Sequence, residues 1–409
     1  MTTTLNGLLI DDHTITVPLV PDVPDDHRTI DVFARVVTRA GGETLPFLVF
    51  LQGGPGVEAP RAFPSWLPVA LERHRVVMLD QRGTGRSTPL TDDALALSPD
   101  ALAEYCTHLR ADGIVADCEA MRGHLGARTW SVLGQSFGGF TLLHYLSRHP
   151  ESVDRAYFTG GLPPVGRHPD DVYAITWTSM AARTREFYRL FPDDRDAVRR
   201  CLDLAAAGEL TLPNGDAVSP GRFRSVGHVL GTNDGAATLH WLLDLDPKGN
   251  AFRHDLAALL PFSARNPLYA VVHESSYADG GATRWSAART RPDEFDADET
   301  LLSGEHLLPE WFDESSELRP WGPAARIIAE HDWPRLYDPD ALANSGAVGA
   351  AAVYYRDVYV PLGFSMQTAD LLPGVTTFIT SEHEHNGLRA SNGIVLRHLF
   401  ELVAGERLR

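Results

Sequence analysis

The first 160 residues alternate between short apolar runs and longer stretches that carry apolar residues at helical spacing. A run that is apolar throughout is typical of a central strand in a parallel sheet, because helices cover both of its faces. Runs of this kind, or of alternating polarity, predict strands at 8–10, 13–20, 29–38, 45–51, 75–79, 130–133 and 155–161. Helical spacing extends from Leu102 to Leu125, with a break expected near Gly113. Strands that alternate with helices indicate a doubly wound, mostly parallel α/β sheet.

The pattern changes after residue 162. Residues 170–335 have mostly helical spacing, are rich in Trp, Tyr and Arg, and show no alternation of strands with helices. Strand-like segments return at 347–355 and 374–380, and 394–404 has the pattern of a closing helix. We therefore expect a core formed by 1–162 and 341–409, interrupted by a helical cap domain at 163–340.

Composition narrows the classes of partner. The chain has 409 residues and a formal charge of −18, which disfavours nucleic acids and anionic membranes, since both attract positive charge. Its three cysteines, Cys106, Cys118 and Cys201, suggest neither a disulfide framework nor a zinc site, so we expect them to be small buried side chains and expect no metal. We also expect no cofactor. The first residues lack the pattern of a secretory signal and no apolar stretch is long enough to span a bilayer, which favours a cytoplasmic protein.

The segment Gly134-Gln-Ser-Phe-Gly138 lies between a predicted strand and a predicted helix. In that context a Gly-x-Ser-x-Gly sequence forms a sharp turn that exposes the serine hydroxyl, while the small flanking residues let strand and helix approach each other. Ser136 would also lie at a helix N-terminus, where free N–H groups favour negative charge. The sequence therefore predicts a nucleophilic serine.

A serine nucleophile requires a base and a carboxylate that orients it. In this kind of sheet they follow in the order serine, acid, histidine. Asp357 follows the first returning strand and His385 the second, so we assign them as orienting acid and general base. The strand pattern leaves His383 open as an alternative base, and the other acids of the C-terminal part remain rivals to Asp357: Asp332, Asp338, Asp340 and Asp370.

Two backbone N–H groups should stabilise the oxyanion that forms during acyl transfer. Phe137, directly after the nucleophile, offers one of them. The second should come from Gln52-Gly-Gly-Pro-Gly56, which follows a predicted central strand, and we assign it to Gly54. A phosphate-binding loop is disfavoured because no Gly-Lys-Ser/Thr follows these glycines.

Several segments together resemble the proline iminopeptidases, also called prolyl aminopeptidases. Asp80-Gln-Arg-Gly-Thr-Gly-Arg-Ser87 and the serine turn are similar to motifs of that family, and Gln52-Gly-Gly-Pro-Gly56 resembles its His-Gly-Gly-Pro-Gly segment with Gln in place of His. Tyr355-Arg-Asp-Val-Tyr359 and Glu384-His-Asn-Gly-Leu-Arg389 are similar to the acid and histidine segments of its larger bacterial members. The resemblance thus supports Asp357 and selects His385 over His383.

This resemblance implies an α/β-hydrolase fold and a serine aminopeptidase that releases N-terminal proline through an acyl-enzyme intermediate. In the family, cap glutamates hold the amine of a small peptide substrate, and the likeness around His273-Glu-Ser-Ser-Tyr277 points to Glu274; a second glutamate is expected at no assigned position. Gln52 and Tyr277 join the expected substrate-binding residues. Candidates to line an apolar proline pocket are aromatic: Phe137, Tyr277, Trp311 and Phe312.

Two other functions stay open at this point. Gln52 replaces the His of the family's His-Gly-Gly-Pro-Gly segment, and the cap can vary freely. Another small amide, an ester or a lactone could therefore be the substrate of the same three residues. A non-catalytic binding protein built on the same scaffold is disfavoured by the presence of all three side chains.

Overall fold

The computed structural model describes residues 2–21 and 23–407. Nine strands form one sheet in the order β1-β2-β3-β5-β4-β6-β7-β8-β9. Their bounds are β1 Thr2–Leu5, β2 Leu8–Pro18, β3 Thr29–Arg39, β4 Phe47–Leu51, β5 Arg75–Leu79, β6 Trp130–Gln135, β7 Val153–Thr159, β8 Gly349–Tyr354 and β9 Val375–Thr380. The first three strands are antiparallel to their neighbours, and β4 to β9 run parallel to one another.

Strand β4 is apolar and buried at every position because both faces of the sheet are covered there. Along β4, Leu48 and Phe50 join one buried cluster, whereas Val49 and Leu51 join the other. Helices of the core flank these faces. Before the cap these are α1 Leu67–Leu71, α2 Pro99–Thr107, α3 Ala111–His124 and α4 Phe137–Arg148; α16 Leu362–Ala369 lies between β8 and β9, and α17 Gly387–Ala390 and α18 Ile394–Ala404 follow β9. The predicted doubly wound, mostly parallel α/β sheet is confirmed.

Between β7 and β8 the described chain consists of helices, turns and isolated bridges, and it adds no strand to the sheet. The α-helices of this stretch are α5 Pro169–Leu190, α6 Asp194–Ala206, α7 Pro220–Arg224, α8 Gly235–Leu243, α9 Asn250–Leu259, α10 Pro267–Val271, α11 Ser286–Arg289, α12 Glu294–Ala297, α13 Trp311–Glu314, α14 Gly322–Ala329 and α15 Pro339–Ala343. We refer to 163–340 as the cap, and its boundaries remain a proposal.

The stretch from Leu102 to Leu125 forms two helices as predicted, but the break between them lies before Gly113. The interruption between α2 and α3 lies at residues 108–110, and Gly113 lies inside α3. A side chain at Gly113 would collide with the guanidinium of Arg82, which is buried in a salt bridge with Asp117 at 2.6 Å. Glycine is therefore required here by close packing and not by a turn.

Two further expectations concern burial and membranes. The side chains of all three cysteines are buried and unpaired, as predicted. Across residues 2–21 and 23–407, no helix has both the length and the apolar character that crossing a bilayer would demand.

Candidate active site

Ser136 occupies a strained turn between β6 and α4. Its φ of 55° and ψ of −126° lie outside the regions that side-chain-bearing residues favour. The turn is fixed by a hydrogen bond from the Ser136 N–H to the carbonyl of Thr159 at 3.0 Å, and a Cβ at Gly138 would overlap the carbonyl of Leu51. The small residue therefore lets α4 start against β4, and the turn places Ser136 at the carboxyl edge of the sheet.

Asp357 and His385 form a closely held pair at the same edge. Asp357 Oδ2 lies 2.7 Å from His385 Nδ1, and the two side chains are 1% and 11% exposed. The other carboxylate oxygen accepts hydrogen bonds from the N–H groups of Tyr359 and Val360, both at 2.9 Å. Because both oxygens are engaged, the carboxylate orients the imidazole, and the hydrogen bond fixes which ring nitrogen carries the proton.

The imidazole of His385 lies beside the serine turn. A Cβ built on Gly160, just after β7, would lie 3.0 Å from His385 Nδ1, and one on Gly161 would lie 2.8 Å from the carbonyl oxygen of Ser136. Two consecutive residues therefore contact the histidine and the serine. Within the described part of the chain, the imidazole makes its one side-chain hydrogen bond to Asp357, which leaves Nε2 without a protein partner.

Charge at the site favours the protonated histidine. Burial by itself would lower the pKa of His385, but the negative charge and hydrogen bond of Asp357 outweigh it, and the pKa lies above its ordinary value. The carboxylate of Glu305 raises the pKa of His385 further. An imidazolium that forms when the histidine takes a proton is thus stabilised by two acids.

Glu305 is a site residue that the sequence did not reveal. This cap residue accepts a hydrogen bond at Oε1 from the hydroxyl of Tyr269 at 2.6 Å, while its other oxygen bonds to no described residue. Burial raises the pKa of Glu305, partly offset by the Tyr269 hydroxyl and by His385. In the sequence, Glu305 is a single acid between two leucine pairs, 301–302 and 307–308. Many acids with a purely structural role have such surroundings, so this pattern did not identify Glu305.

Glu274 lies in a different setting. Its carboxylate accepts hydrogen bonds from the N–H groups of Ser286 at 3.0 Å and Ala287 at 2.9 Å, which are the first residues of α11. Trp285, which precedes that helix, provides no side-chain cap. Glu274 therefore caps a helix N-terminus, and both of its oxygens are occupied by the protein itself. Its expected part in substrate binding stays a prediction.

The expected oxyanion loop follows β4. Gly54 has a φ of 140°, which a side chain would strain, and its peptide bond to Pro55 is cis. Within the described residues, neither the Gly54 N–H nor the Phe137 N–H donates to another protein group. Gln52 supports the loop: its carbonyl accepts a hydrogen bond from Gln81 at 2.8 Å, and its side-chain oxygen accepts one from Arg389 at 3.0 Å.

The four aromatic candidates separate into two places. Tyr277 donates a hydrogen bond from its hydroxyl to the carbonyl of Tyr359 at 3.1 Å, and Tyr359 packs against His385 with ring centres 4.8 Å apart. Phe137 follows the nucleophile directly and is 2% exposed. Trp311 and Phe312 belong to α13 and are buried among cap aromatics such as Phe262 and Trp285.

The rival triad residues make other contacts. His383 Nδ1 lies 3.4 Å from the side-chain amide nitrogen of Asn233. Asp338 caps the N-terminus of α15 through the N–H groups of Asp340 and Ala341. The structure therefore brings Ser136, Asp357 and His385 to one edge and leaves these rivals outside it.

Comparison with known proteins agrees with this architecture. Residues 46–241 match the family model described as alpha/beta hydrolase fold. A proline iminopeptidase of Aeromonas sobria is 40% identical, with 97% of each chain covered, and proline iminopeptidase aneH of Aspergillus aculeatus is 30% identical, with 94% of this chain and 92% of the relative covered. A crystal structure of proline iminopeptidase from Mycobacterium smegmatis is 16% identical, covers 97% of this chain and 100% of its own, and has a TM-score of 0.46. The chain belongs to the proline iminopeptidase family of α/β hydrolases.

Proposed function

We propose that this protein is a serine aminopeptidase that releases N-terminal proline from small peptides through an acyl-enzyme intermediate. Its membership of the family supports the reaction, and the placement of Ser136, His385 and Asp357 supports the assignment of residues. The three unpaired cysteines favour a reducing compartment, so we propose the cytoplasm as its location.

The chemistry follows from the contacts at the sheet edge. His385 Nε2 takes the hydroxyl proton as Ser136 Oγ attacks the prolyl carbonyl carbon, and the carbonyl oxygen becomes an oxyanion. The N–H groups of Gly54 and Phe137 stabilise that oxyanion, each contributing about 3–4 kcal/mol to lowering the barrier. The imidazolium then protonates the leaving amine, the carbon–nitrogen bond breaks, and water hydrolyses the prolyl ester by the same steps.

Glu305 is the observation that carries the choice of an aminopeptidase. Acyl transfer requires one orienting acid, which Asp357 supplies. Glu305 is a second carboxylate, and its charge raises the pKa of His385. Its free Oε2 suits the protonated amine of an N-terminal proline. We therefore propose Glu305 as the group that binds the amine. Tyr269 holds its other oxygen, and Tyr277 and Phe137 offer apolar surface to the ring.

The test uses Ser136→Ala with Ser381→Ala as a matched control on an exposed serine. We expect Ser136→Ala to abolish both release of proline from a chromogenic anilide and labelling by a fluorophosphonate, with an unchanged circular dichroism spectrum. Ser381→Ala should retain both. A substrate series of proline anilide, alanine anilide and a simple acyl ester should favour proline. Turnover by Ser136→Ala would exclude the mechanism, and a strong preference for the ester would exclude the substrate.

A further inference from the structure

Arg389 lies four positions after His385, in the short helix α17 that follows the histidine. The N–H groups of Arg389 and Ala390 donate to the carbonyl of Asn386, which begins this turn. Its Nη2 donates to Gln52 Oε1 at 3.0 Å. The guanidinium therefore connects the histidine segment with the loop that supplies an oxyanion donor.

This cation has no acidic partner in the described part of the chain. The ion pairs there include many arginines of the core and cap, yet none includes Arg389, which is instead held by the neutral amide of Gln52. Partial burial lowers the pKa of Arg389, and its positive charge in turn lowers the pKa of His385. The residue as a whole is nevertheless exposed, so part of its side chain is open to solvent. An oriented guanidinium without a counter-ion is suited to bind a carboxylate in two-point fashion.

Two charged groups of opposite sign are held by different parts of the molecule. Glu305 belongs to the cap and is bonded to Tyr269, whereas Arg389 belongs to the core and is bonded to Gln52 after β4. A short peptide in the cleft is itself a dipole, with an ammonium at the prolyl end and a carboxylate at the end that leaves. If Glu305 in the cap holds the ammonium, Arg389 in the core offers the opposite charge to the carboxylate end.

We propose that Arg389, positioned by Gln52, binds a carboxylate of the leaving amino acid or peptide and makes the enzyme selective for short substrates. The inference rests on the proposed aminopeptidase function and extends it to the leaving-group side. Because a peptide extends by at most about 3.5 Å per residue, the C-terminal carboxylate of a dipeptide or tripeptide is the nearest source. An acidic side chain next to the scissile bond offers the same chemistry.

Matched substrates separate these possibilities. Steady-state kcat/KM is measured for Pro-Gly against Pro-Gly-amide, for Pro-Gly-Gly against its amide, and for Pro-Asp-amide against Pro-Asn-amide. The wild-type protein should prefer the carboxylate in at least one pair. In Arg389→Met that acid-to-amide ratio should fall about tenfold or more, as expected for loss of a charge-assisted contact. Arg389→Lys, which keeps the charge without the planar fork, should fall between them.

The control is Arg397→Met. Arg397 lies on the following helix, α18, where it is a surface arginine paired with Glu72, so its removal should leave the acid-to-amide ratio unchanged. A preference confined to Pro-Asp-amide would support the binding site, identify the side chain as its ligand and overturn the selectivity for short substrates. Equal use of acids and amides by the wild-type protein would overturn the proposal. So would a parallel loss for acid and amide in Arg389→Met, because that pattern reports a structural role. Failure of the wild-type protein to cleave any prolyl substrate would instead refute the proposed function.

Discussion

Replacing Glu305 by Gln tests the recognition of the amine and the electrostatics of the triad in one variant. The substitution keeps the size of the side chain and a group that the Tyr269 hydroxyl can still contact, but it removes the negative charge. A hydrogen bond to a charged group contributes about 1.5–3 kcal/mol. We therefore expect kcat/KM for proline anilide to fall about 10- to 150-fold, since 1.4 kcal/mol corresponds to about tenfold.

The same variant should also shift the pH dependence of the reaction. The carboxylate of Glu305 raises the pKa of His385, so its removal lowers that pKa. Because His385 must be neutral to accept the serine proton, the acidic limb of kcat/KM should move to lower pH. An acyl ester without an amine reports this shift separately, since it needs no contact with Glu305. Its rate on the high-pH plateau should be retained.

Glu310→Gln is the matched control, because Glu310 is an exposed glutamate five residues further along the cap. It should change neither the prolyl rate nor the pH profile. The assignment of Glu305 would be refuted if Glu305→Gln lost prolyl and ester activity in parallel, since this would indicate damage to the triad. It would also be refuted if proline anilide were cleaved at the wild-type rate.

Two other substitutions test the acid of the triad and the helix cap. Asp357→Asn should lower kcat about 10³- to 10⁴-fold, as expected when the histidine loses its orienting carboxylate. Any residual activity should have its acidic limb at lower pH, because the acid that raises the pKa of His385 is gone. A pH–rate profile whose acidic limb stayed in place would refute this role of Asp357. Glu274→Gln should lower the free energy of unfolding by about 0.5–2 kcal/mol through loss of the α11 cap, as measured by urea denaturation; unchanged stability with impaired amine binding would instead return Glu274 to the substrate site.

Local patterns sufficed to predict the sheet, whereas the triad needed topology together with the family resemblance, which selected His385 over His383. The serine turn depends on close contacts between consecutive elements, and its glycines are visible in the sequence. Asp357 and His385 follow two strands, β8 and β9, whose carboxyl ends must lie at the edge that carries Ser136, since the central strands are parallel. Residues far apart in the chain could therefore be assigned to one site.

The cap could not be treated in the same way. Glu274 and Glu305 are both single acids within apolar stretches, and helical spacing does not state what each carboxylate meets. In the structure the difference comes from their neighbours: the free N–H groups of Ser286 and Ala287 occupy Glu274, whereas Tyr269 engages one oxygen of Glu305. Such contacts depend on how short helices pack, and no sheet edge fixes their positions in advance.

Contacts between the cap and the core help to position the segments that carry Asp357 and His385. The backbone N–H of His385 donates to the carbonyl of Gly231 at 3.1 Å, and the Tyr277 hydroxyl donates to the carbonyl of Tyr359, whose own hydroxyl bonds to His228. The segment that follows the acid is thus held from both sides by cap residues. Since Glu305 also shifts the pKa of His385, changes in the cap alter the base together with the substrate pocket. Substrate preference and the pH dependence of catalysis should therefore change together when the cap is varied.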